Sequence, residues 1–367
     1  MLGVKSDRHN QIDNTDRPLP IEHPRAWLPG PGAVRVDLHC HTTFSDERIK
    51  WLPGLLFHPV STPAQVYDLA KSRGMDFVTI TDHDTIDGCL ALLDERGPLP
   101  DFLIGEEVTV AFPEDGTIVH VNVYDHNEAQ HAEIQKLRGS LYELVGYLRS
   151  IDKLYVINHL TWTAQHRVLK PWQIEKMLEL FDVFEGLNGT RSYAHNAFVW
   201  EATHARDKIL VAGSDSHTTR VGTTHTVVGS AVRTSSDVST DVRSGSNGRS
   251  DAMPSGSGAM PTAFAPACPS SEHAAPPRSV AELLSAIRAG HTAICGEFGT
   301  ADKLRDDIWQ VLHSNAERIL SHEHRAWARV GTRVVERLAR SVTPLACLGY
   351  LSRQNRLIRR FHAALAT

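Results

Sequence analysis

Two histidines one residue apart, His39 and His41, are the first side chains of this 367-residue chain whose types and spacing could do chemistry. They follow a short apolar run, and Ser45 and Asp46 come shortly after them. Residues two apart in a β-strand point to the same face, so both imidazoles could bind one metal ion. Two half-exposed histidines near a strand end are the alternative. The chain has 21 histidines in all, unevenly placed.

Further residues of metal-ligand type recur where other apolar runs end. They are Asp82-His83-Asp84, Glu106-Glu107, His120, Asn158-His159 and Asp215-Ser216-His217. One of the two adjacent glutamates must face inward, and it then needs a cation because an isolated buried charge is very costly. Taken singly, His120 could be a core histidine, Glu107 an ion-pair partner and His159 a loop residue. Together these side chains indicate a cluster of imidazoles and carboxylates, a donor set that suits zinc, manganese or iron.

The elements that carry these residues alternate between strand-like and helix-like patterns. Apolar runs of strand length cover residues 34–38, 77–81, 102–110, 118–123, 154–157, 183–187, 209–212 and 227–232. Helical patterns lie between several of them, including 131–150, 172–180 and a segment that Thr62 and Pro63 open as N-cap and first turn. The alternation predicts an α/β fold with a parallel sheet or barrel, which presents its ligands at the carboxyl ends of the strands.

Composition divides the chain into five segments. Residues 1–33 are predicted to form a poorly ordered arm, 34–233 a barrel, 234–278 a disordered insertion rich in Ser, Gly and Pro, and 279–297 the completion of the barrel. Residues 298–367 are predicted to be helical and carry a net charge of +6, against −11 for the rest and −5 overall. Their basic amphipathic pattern, with arginines at 325, 329, 333, 337 and 340, indicates a solvated face, a segment docked on the acidic barrel, or one that binds nucleic acid or anionic lipid.

The overall composition is that of an ordinary folded protein. Hydrophobic residues make up 41% of the chain and charged residues 22%, which permits a sizeable core. No run approaches the roughly 20 apolar residues of a transmembrane helix, and the N-terminus has no apolar run of the signal-peptide kind. The five cysteines are scattered without a CxxC motif, so we expect neither a disulfide framework nor a cysteine-based zinc site. A cytoplasmic protein with reduced thiols is the expectation.

The motifs resemble those of the polymerase and histidinol phosphatase (PHP) family of metal-dependent phosphoesterases. The resemblance rests on His39-x-His41, Ser45-Asp46, Thr81-Asp82-His83, Gly105-x-Glu107, His120, His159 and Ser214-Asp215-Ser216-His217, within residues 34–232. It implies a distorted (β/α)7 barrel with a C-terminal helical extension and up to three divalent ions (Zn, Mn or Fe) at the C-terminal face. It also implies the ligand sets: His39, His41, Glu107 and Asp215 for the first ion, Glu107 with His120 and His159 for the second, and Asp46, His83 and His217 for the third.

The same resemblance implies the reaction. Two ions about 3.5–4 Å apart would share a hydroxide that attacks phosphorus in line, with Glu107 and Asp215 as the central catalytic carboxylates. Arg191 and His195 follow a later apolar run and are the candidate cations for the charge on the phosphate oxygens. A solvent-exposed loop charge is the alternative for Arg191.

Other carboxylates are predicted to support the ligands. Asp37, Asp82 and Asp84 would orient the imidazoles through hydrogen bonds. For Asp84 the alternative is a helix N-cap. Glu185 follows the same apolar run as Arg191 and is expected near the site.

We therefore expect a phosphoesterase that acts on a small phosphorylated metabolite or a short nucleotide. A carbamate, ester or amide hydrolase using the same metal centre is one alternative, and a degenerate metal-binding module is another. A phosphate substrate needs compensating cations at the mouth of the site, whereas a neutral ester does not. Arg191 alone leaves that choice open, and the acidic barrel disfavours long polyanions.

Overall fold

The computed structural model describes residues 32–45, 58–163, 168–229, 276–322 and 326–365. The strands in these ranges are β1 Val34–Asp37, β2 Phe77–Ile80, β3 Phe102–Ala111, β4 Ile118–Tyr124, β5 Leu154–Ile157, β6 Val183–Asn188, β7 Ile209–Gly213, β8 Thr224–Val228 and β9 Thr292–Gly296. The helices are α1 Pro63–Ser72, α2 Asp87–Arg96, α3 Glu128–Leu137, α4 Leu141–Ser150, α5 Pro171–Leu180, α6 Tyr193–His204, α7 Val280–Arg288, α8 Ala301–His322 and α9 Ala326–Leu365. The predicted N-terminal arm, most of the predicted insertion and the candidate ligand Asp46 lie outside the described residues.

The strands form a closed barrel in sequence order. Each strand from β1 to β8 pairs with the next, and β8 pairs back onto β1 in the register Val34 to Val228. The pairs β1–β2, β2–β3, β5–β6 and β6–β7 are parallel, whereas β4 and β8 are antiparallel to their neighbours. The predicted α/β barrel with a C-terminal helical extension is confirmed, and an eighth strand closes it.

Local sequence signals explain where several elements begin. Thr62 caps α1 by accepting a hydrogen bond from the Gln65 backbone nitrogen, as its position before Pro63 predicts. The helical pattern over 131–150 forms two helices instead of one. Ser140 caps α4, and the break frees the Arg138 carbonyl to accept the Ala111 backbone N–H at 3.0 Å.

The segment after the predicted insertion packs on the barrel. Leu283, Leu284 and Ile287 of α7 are buried in the same hydrophobic cluster as Val34 and Val36 of β1. Strand β9 pairs along the whole of β8 in antiparallel register. Folding these elements onto the barrel removes their apolar surfaces from water, which favours the closed arrangement.

The two C-terminal helices pair with each other and lie against the barrel. Ile358 and Phe361 of α9 are buried beside Phe198 of α6. On α8, the Asp307 carboxylate pairs with Arg220 of the β7–β8 connection at 2.7 Å. The C-terminal helices thus contact the barrel through α8 and the last part of α9, whereas most described residues of the arginine-rich stretch 325–340 are exposed. Among the described helices, none combines the length and the apolar character that crossing a membrane requires.

Candidate metal centre

The ring nitrogens of His39 and His41 lie at one end of the barrel beside two carboxylate oxygens, one from Glu107 and one from Asp215. The Nε2 atoms of His39 and His41 lie 3.2 Å apart, and they lie 3.2 and 3.3 Å from Oε2 of Glu107. The same two nitrogens lie 3.6 and 3.5 Å from Oδ1 of Asp215. Two ligand atoms of one zinc ion, each bound at about 2.0–2.2 Å, lie roughly 3.3–3.6 Å apart in tetrahedral coordination, which matches these five separations. The donor set therefore fits one divalent ion held by the four residues that the motifs suggest.

Backbone contacts between the ends of β1 and β7 hold these four donors together. The Asp215 backbone nitrogen donates to the His39 carbonyl at 2.7 Å, and the His41 nitrogen donates to the Ser216 carbonyl at 3.0 Å. A Cβ at Gly213 would lie 2.7 Å from the His39 backbone nitrogen, so only glycine permits this approach. Asp215 itself has a positive φ of 49°, a strained conformation of the kind that clusters at functional sites.

The Glu107 carboxylate is the centre of a second group of donors. Its Oε1 lies 3.0 Å from Nδ1 of His120 and 3.1 Å from Nε2 of His159. Asn158 donates to the same oxygen at 2.8 Å. Glu107 can therefore bridge two ions, one at each of its oxygens.

A third group of imidazoles surrounds His41. His41, His83 and His217 present ring nitrogens within 4.8 Å of one another. Nδ1 of His83 also lies 3.1 Å from Oε2 of Glu107. Of the residues assigned to the third ion, the structure thus brings His83 and His217 together. His41 is the third member of this group. Asp46, the other residue assigned to the third ion, lies outside the described residues.

The carboxylate that orients an imidazole is Glu185, not one of the three predicted aspartates. Oε1 of Glu185 lies 2.8 Å from Nδ1 of His39, which directs Nε2 toward the metal centre. Ser45 has the same role for His41, with its Oγ at 3.1 Å from Nδ1. Both supporting residues are buried.

The three aspartates bind other groups, so the prediction that they orient the imidazoles is wrong. Asp37 accepts hydrogen bonds from the backbone nitrogens of His39, Ser214 and Gly222. Asp82 accepts from the backbone nitrogen and the hydroxyl of Thr42. Asp84 accepts from the Thr109 backbone nitrogen and the Arg138 side chain. Each accepts a hydrogen bond from at least one backbone nitrogen, and none of these hydrogen bonds involves an imidazole nitrogen. Asp84 does not cap a helix either, because α2 begins after Ile86 without a side-chain cap.

The electrostatics of the site favour bound positive charge. Burial would raise the pKa of Glu107, but the surrounding imidazoles, His39 foremost, hold it well below its ordinary value. Burial would likewise lower the pKa of His41, but hydrogen bonds to Asp215 and Glu107 raise it to about 9. By contrast, burial lowers the pKa of His159 to about 4, which leaves a neutral ring with a free electron pair. The carboxylates thus attract positive charge, and a metal ion that binds here takes the place of the protons on His39 and His41.

Replacing Glu185 with glutamine is expected to weaken metal binding about 10- to 100-fold, because the charged partner of His39 is lost. Titration with Zn²⁺ against a chromogenic chelator measures the affinity. The matched control is Glu201→Gln, a half-exposed α6 glutamate whose carboxylate pairs with His362. Equal affinities of the Glu185 variant and the unchanged protein would contradict the orienting role.

The two candidate cations differ in their surroundings. Arg191 lines the pocket above the metal centre, with Nη2 3.5 Å from Oδ2 of Asp215 and its guanidinium 5.3 Å from the centre of the Trp162 ring. His195 is fully buried and bonded through Nδ1 to Thr161 at 2.6 Å. Burial and the adjacent Arg191 hold the pKa of His195 well below its ordinary value. His195 is therefore a neutral ring behind the pocket wall, and Arg191 alone of the two can present positive charge there.

A pocket of about 880 Å³ lies between the metal centre and the C-terminal helices. Its floor includes Glu107, His159 and Asp215, and the side toward α9 carries Arg353, Arg356 and Arg360. All three arginines are exposed, and none forms an ion pair within the described part of the chain. Sequence reasoning missed them as site residues, although the excess positive charge of residues 298–367 was visible.

Comparisons with known proteins give similarities of fold at low identity. No family model and no curated protein matches the chain. A two-domain protein from Bacteroides vulgatus, containing a predicted PHP-like metal-dependent phosphoesterase, is 16% identical, with a TM-score of 0.45 over 77% of this chain and 72% of that one. An amidohydrolase from Chromobacterium violaceum, with bound sulfate and no metal, is 19% identical, with a TM-score of 0.39 over 50% and 87%. PsfC from Pseudomonas syringae is 18% identical, with a TM-score of 0.40 over 55% and 85%.

Because every TM-score given is below 0.5, the function has to be inferred from the side chains of this chain.

Proposed function

We propose that this chain is a PHP-type metal-dependent phosphoesterase that hydrolyses a small phosphorylated metabolite or a short nucleotide. One observation carries the proposal: the candidate metal ligands Glu107, His159 and Asp215 line the same pocket as three arginines that have no ion-pair partner among the described residues. Residues that can hold metal ions indicate a hydrolase, because a bound metal ion activates water for attack. The excess positive charge of the arginines favours binding of an anionic substrate such as a phosphate ester. The pocket volume of about 880 Å³ is within the range for small-molecule sites.

The metal centre would be trinuclear. His39, His41, Glu107 and Asp215 would hold the first ion, His120 and His159 with Glu107 the second, and Asp46, His83 and His217 the third. Zinc, manganese or iron would generate a nucleophile from water near neutral pH and neutralise charge on the phosphate oxygens. The donor set of imidazoles and carboxylates does not choose among these metals.

The substrate would be held by the chain's own cations. Arg191 is fixed from three sides, by Asp215, by the Trp162 ring and by the Tyr350 hydroxyl at 2.6 Å from Nη1. A guanidinium fixed in this way can bind a phosphate oxygen at little further cost in side-chain entropy. The exposed Arg353 and Arg360 would bind the outer charges of the substrate.

The organic part of the substrate would contact the apolar wall of the pocket. Trp162, Leu304, Ile308, Val311, Tyr350 and Leu357 contribute to that wall. Because α8 and α9 lie over the metal centre, the pocket suits a compact substrate better than a long polymer. This supports the small metabolite or short nucleotide expected from the sequence.

The first experiment is release of p-nitrophenol from bis-p-nitrophenyl phosphate by the full chain loaded with Mn²⁺. We expect release that requires the metal and falls to background in His39→Ala, with a chelated sample as the second control. Absence of release from metal-loaded protein would reject diester hydrolysis. The same assay with p-nitrophenyl phosphate and p-nitrophenyl acetate would then separate a monoesterase from the ester or carbamate hydrolase.

A further inference from the structure

A second group of metal-ligand side chains lies on the other face of β3. Successive residues of a strand point to opposite faces, so Glu106 faces away from the barrel interior when Glu107 faces into it. His126 precedes the first residue of α3, and His131 lies within the first turns of that helix. Glu106, His126 and His131 therefore meet where α3 packs on β3.

The donor atoms of the three side chains are close together. Oε1 of Glu106 lies 3.1 Å from Nε2 of His126, and Oε2 lies 2.9 Å from Nδ1 of His131. Gln135, one turn further along α3, donates to the same Oε2 at 3.0 Å. One donor atom from each of the three residues lies within 4.8 Å of the other two. These separations are near the roughly 3.3 Å between ligand atoms in a tetrahedral zinc site.

Burial leaves part of this group without hydrogen-bond partners. Glu106 is 0% exposed and His126 is 3% exposed. Neither ring nitrogen of His126, nor Oε1 of Glu106, has a hydrogen-bond partner among the described residues, although Nε2 lies only 3.1 Å from that oxygen. Buried polar groups almost always have a hydrogen-bond partner. A buried imidazole without one therefore indicates a binding partner that accepts the electron pair of its ring nitrogen, such as a metal ion.

We propose that Glu106, His126 and His131 bind one divalent transition-metal ion, with Zn²⁺ the best match, separate from the barrel centre. Two imidazoles and one carboxylate are borderline donors of the kind that zinc takes with a fourth, open position. His131 is 21% exposed, which provides a route for the ion from solvent. The ion would fasten the start of α3 to β3, and its role would be structural and independent of the hydrolytic reaction.

The test is the metal content of the full chain after loading with Zn²⁺ and gel filtration, measured by plasma mass spectrometry. His126→Gln is expected to bind one ion fewer per chain than the unchanged protein and to melt at a lower temperature in Zn²⁺. His313→Gln is the matched control, since His313 pairs with Glu336 at 3.0 Å and with Glu317 at 4.0 Å but belongs to no candidate metal-binding group within the described residues. An equal zinc count in His126→Gln and the unchanged protein would overturn the proposal.

Two further samples keep the result interpretable. If His126→Gln does not fold, the more exposed His131→Gln must show the same loss of one ion, and an unchanged count there would overturn the proposal. In a His39→Ala background, in which the barrel centre is damaged, adding His126→Gln should again remove one ion. No further loss in that background would mean that the ion belongs to the barrel centre, and the proposal would be rejected while the phosphoesterase proposal stands.

Discussion

Glu107→Gln is expected to lose bound metal and to lower kcat/KM on a phosphate ester by about 100- to 1000-fold. The Glu107 carboxylate contacts the rings of His39, His41 and His83 through Oε2 and two further rings through Oε1. Glutamine keeps the shape but not the charge, and losing one partner of a buried charged cluster costs about 3–5 kcal/mol. Metal content and steady-state kinetics measured on the same sample test the prediction.

The matched control is Glu175→Gln on α5. Glu175 is exposed and pairs with Arg206 at 2.8 Å, outside the pocket. Ion pairs at the surface contribute little, so this variant should keep its metal and its activity. A Glu107→Gln protein that folds and retains full metal content would show that the carboxylate does not bridge the ions.

The grouping of the candidate ligands was predictable because residue types and positions follow from simple rules. His39 and His41 are two residues apart after a strand, and a period of two brings both rings to one face. Glu107 could be chosen over Glu106 only by the resemblance to a family, since either glutamate could face inward. The distances between the donor atoms depend on contacts between the ends of β1 and β7, which are about 175 residues apart in sequence and leave no local signal.

His120 was predicted as a ligand, but it lies near the start of β4 and not at the carboxyl end of a parallel strand. The sequence argument placed ligands at the carboxyl ends of parallel strands. Strand β4 is antiparallel to β3, with His120 opposite Thr109, so the start of β4 lies at the end of the barrel where the other strands finish. An apolar run of strand length looks the same in the sequence whether the strand follows a hairpin or a parallel crossover. Periodicity therefore does not predict the direction of the strand.

The sequence pattern of the C-terminal helices did not predict which of their arginines line the pocket. The amphipathic stripe from Arg325 to Arg340 was the evident feature of the sequence, yet the arginines of the pocket lie further along α9. Arg353, Arg356 and Arg360 are spaced by three and four residues, so they share one face of the helix. Which face meets the barrel is decided by tertiary contacts such as Phe361 against Phe198, which the sequence of the helix does not specify.

The second large effect is expected from Arg353→Ala combined with Arg360→Ala. A hydrogen bond to a charged group contributes about 1.5–3 kcal/mol when it is shielded from water and less at exposed side chains such as these, so loss of two arginines should raise KM for a phosphate ester by about 10-fold or more. Neither side chain contacts a candidate metal ligand, so metal content should not change and kcat should change much less than KM. Initial rates over a range of substrate concentration measure the two constants separately.

Arg359→Ala is the matched control, because Arg359 is exposed on the same helix but does not line the pocket. The control removes one positive charge from the same helix and the double variant removes two, so a general electrostatic effect would appear in both proteins, about half as large in the control. Only a local contact with the anionic substrate raises KM in the double variant and not in the control.

Hydrolysis of a neutral ester is the second comparison. Its KM should be the same in the unchanged protein, the double variant and the Arg359→Ala control, because a neutral substrate has no charge for the arginines to bind. If the double variant instead raised KM equally for the neutral and the anionic substrate, the arginines would shape the pocket without selecting charge, and the case for a phosphate ester over a carbamate or carboxylic ester would fail.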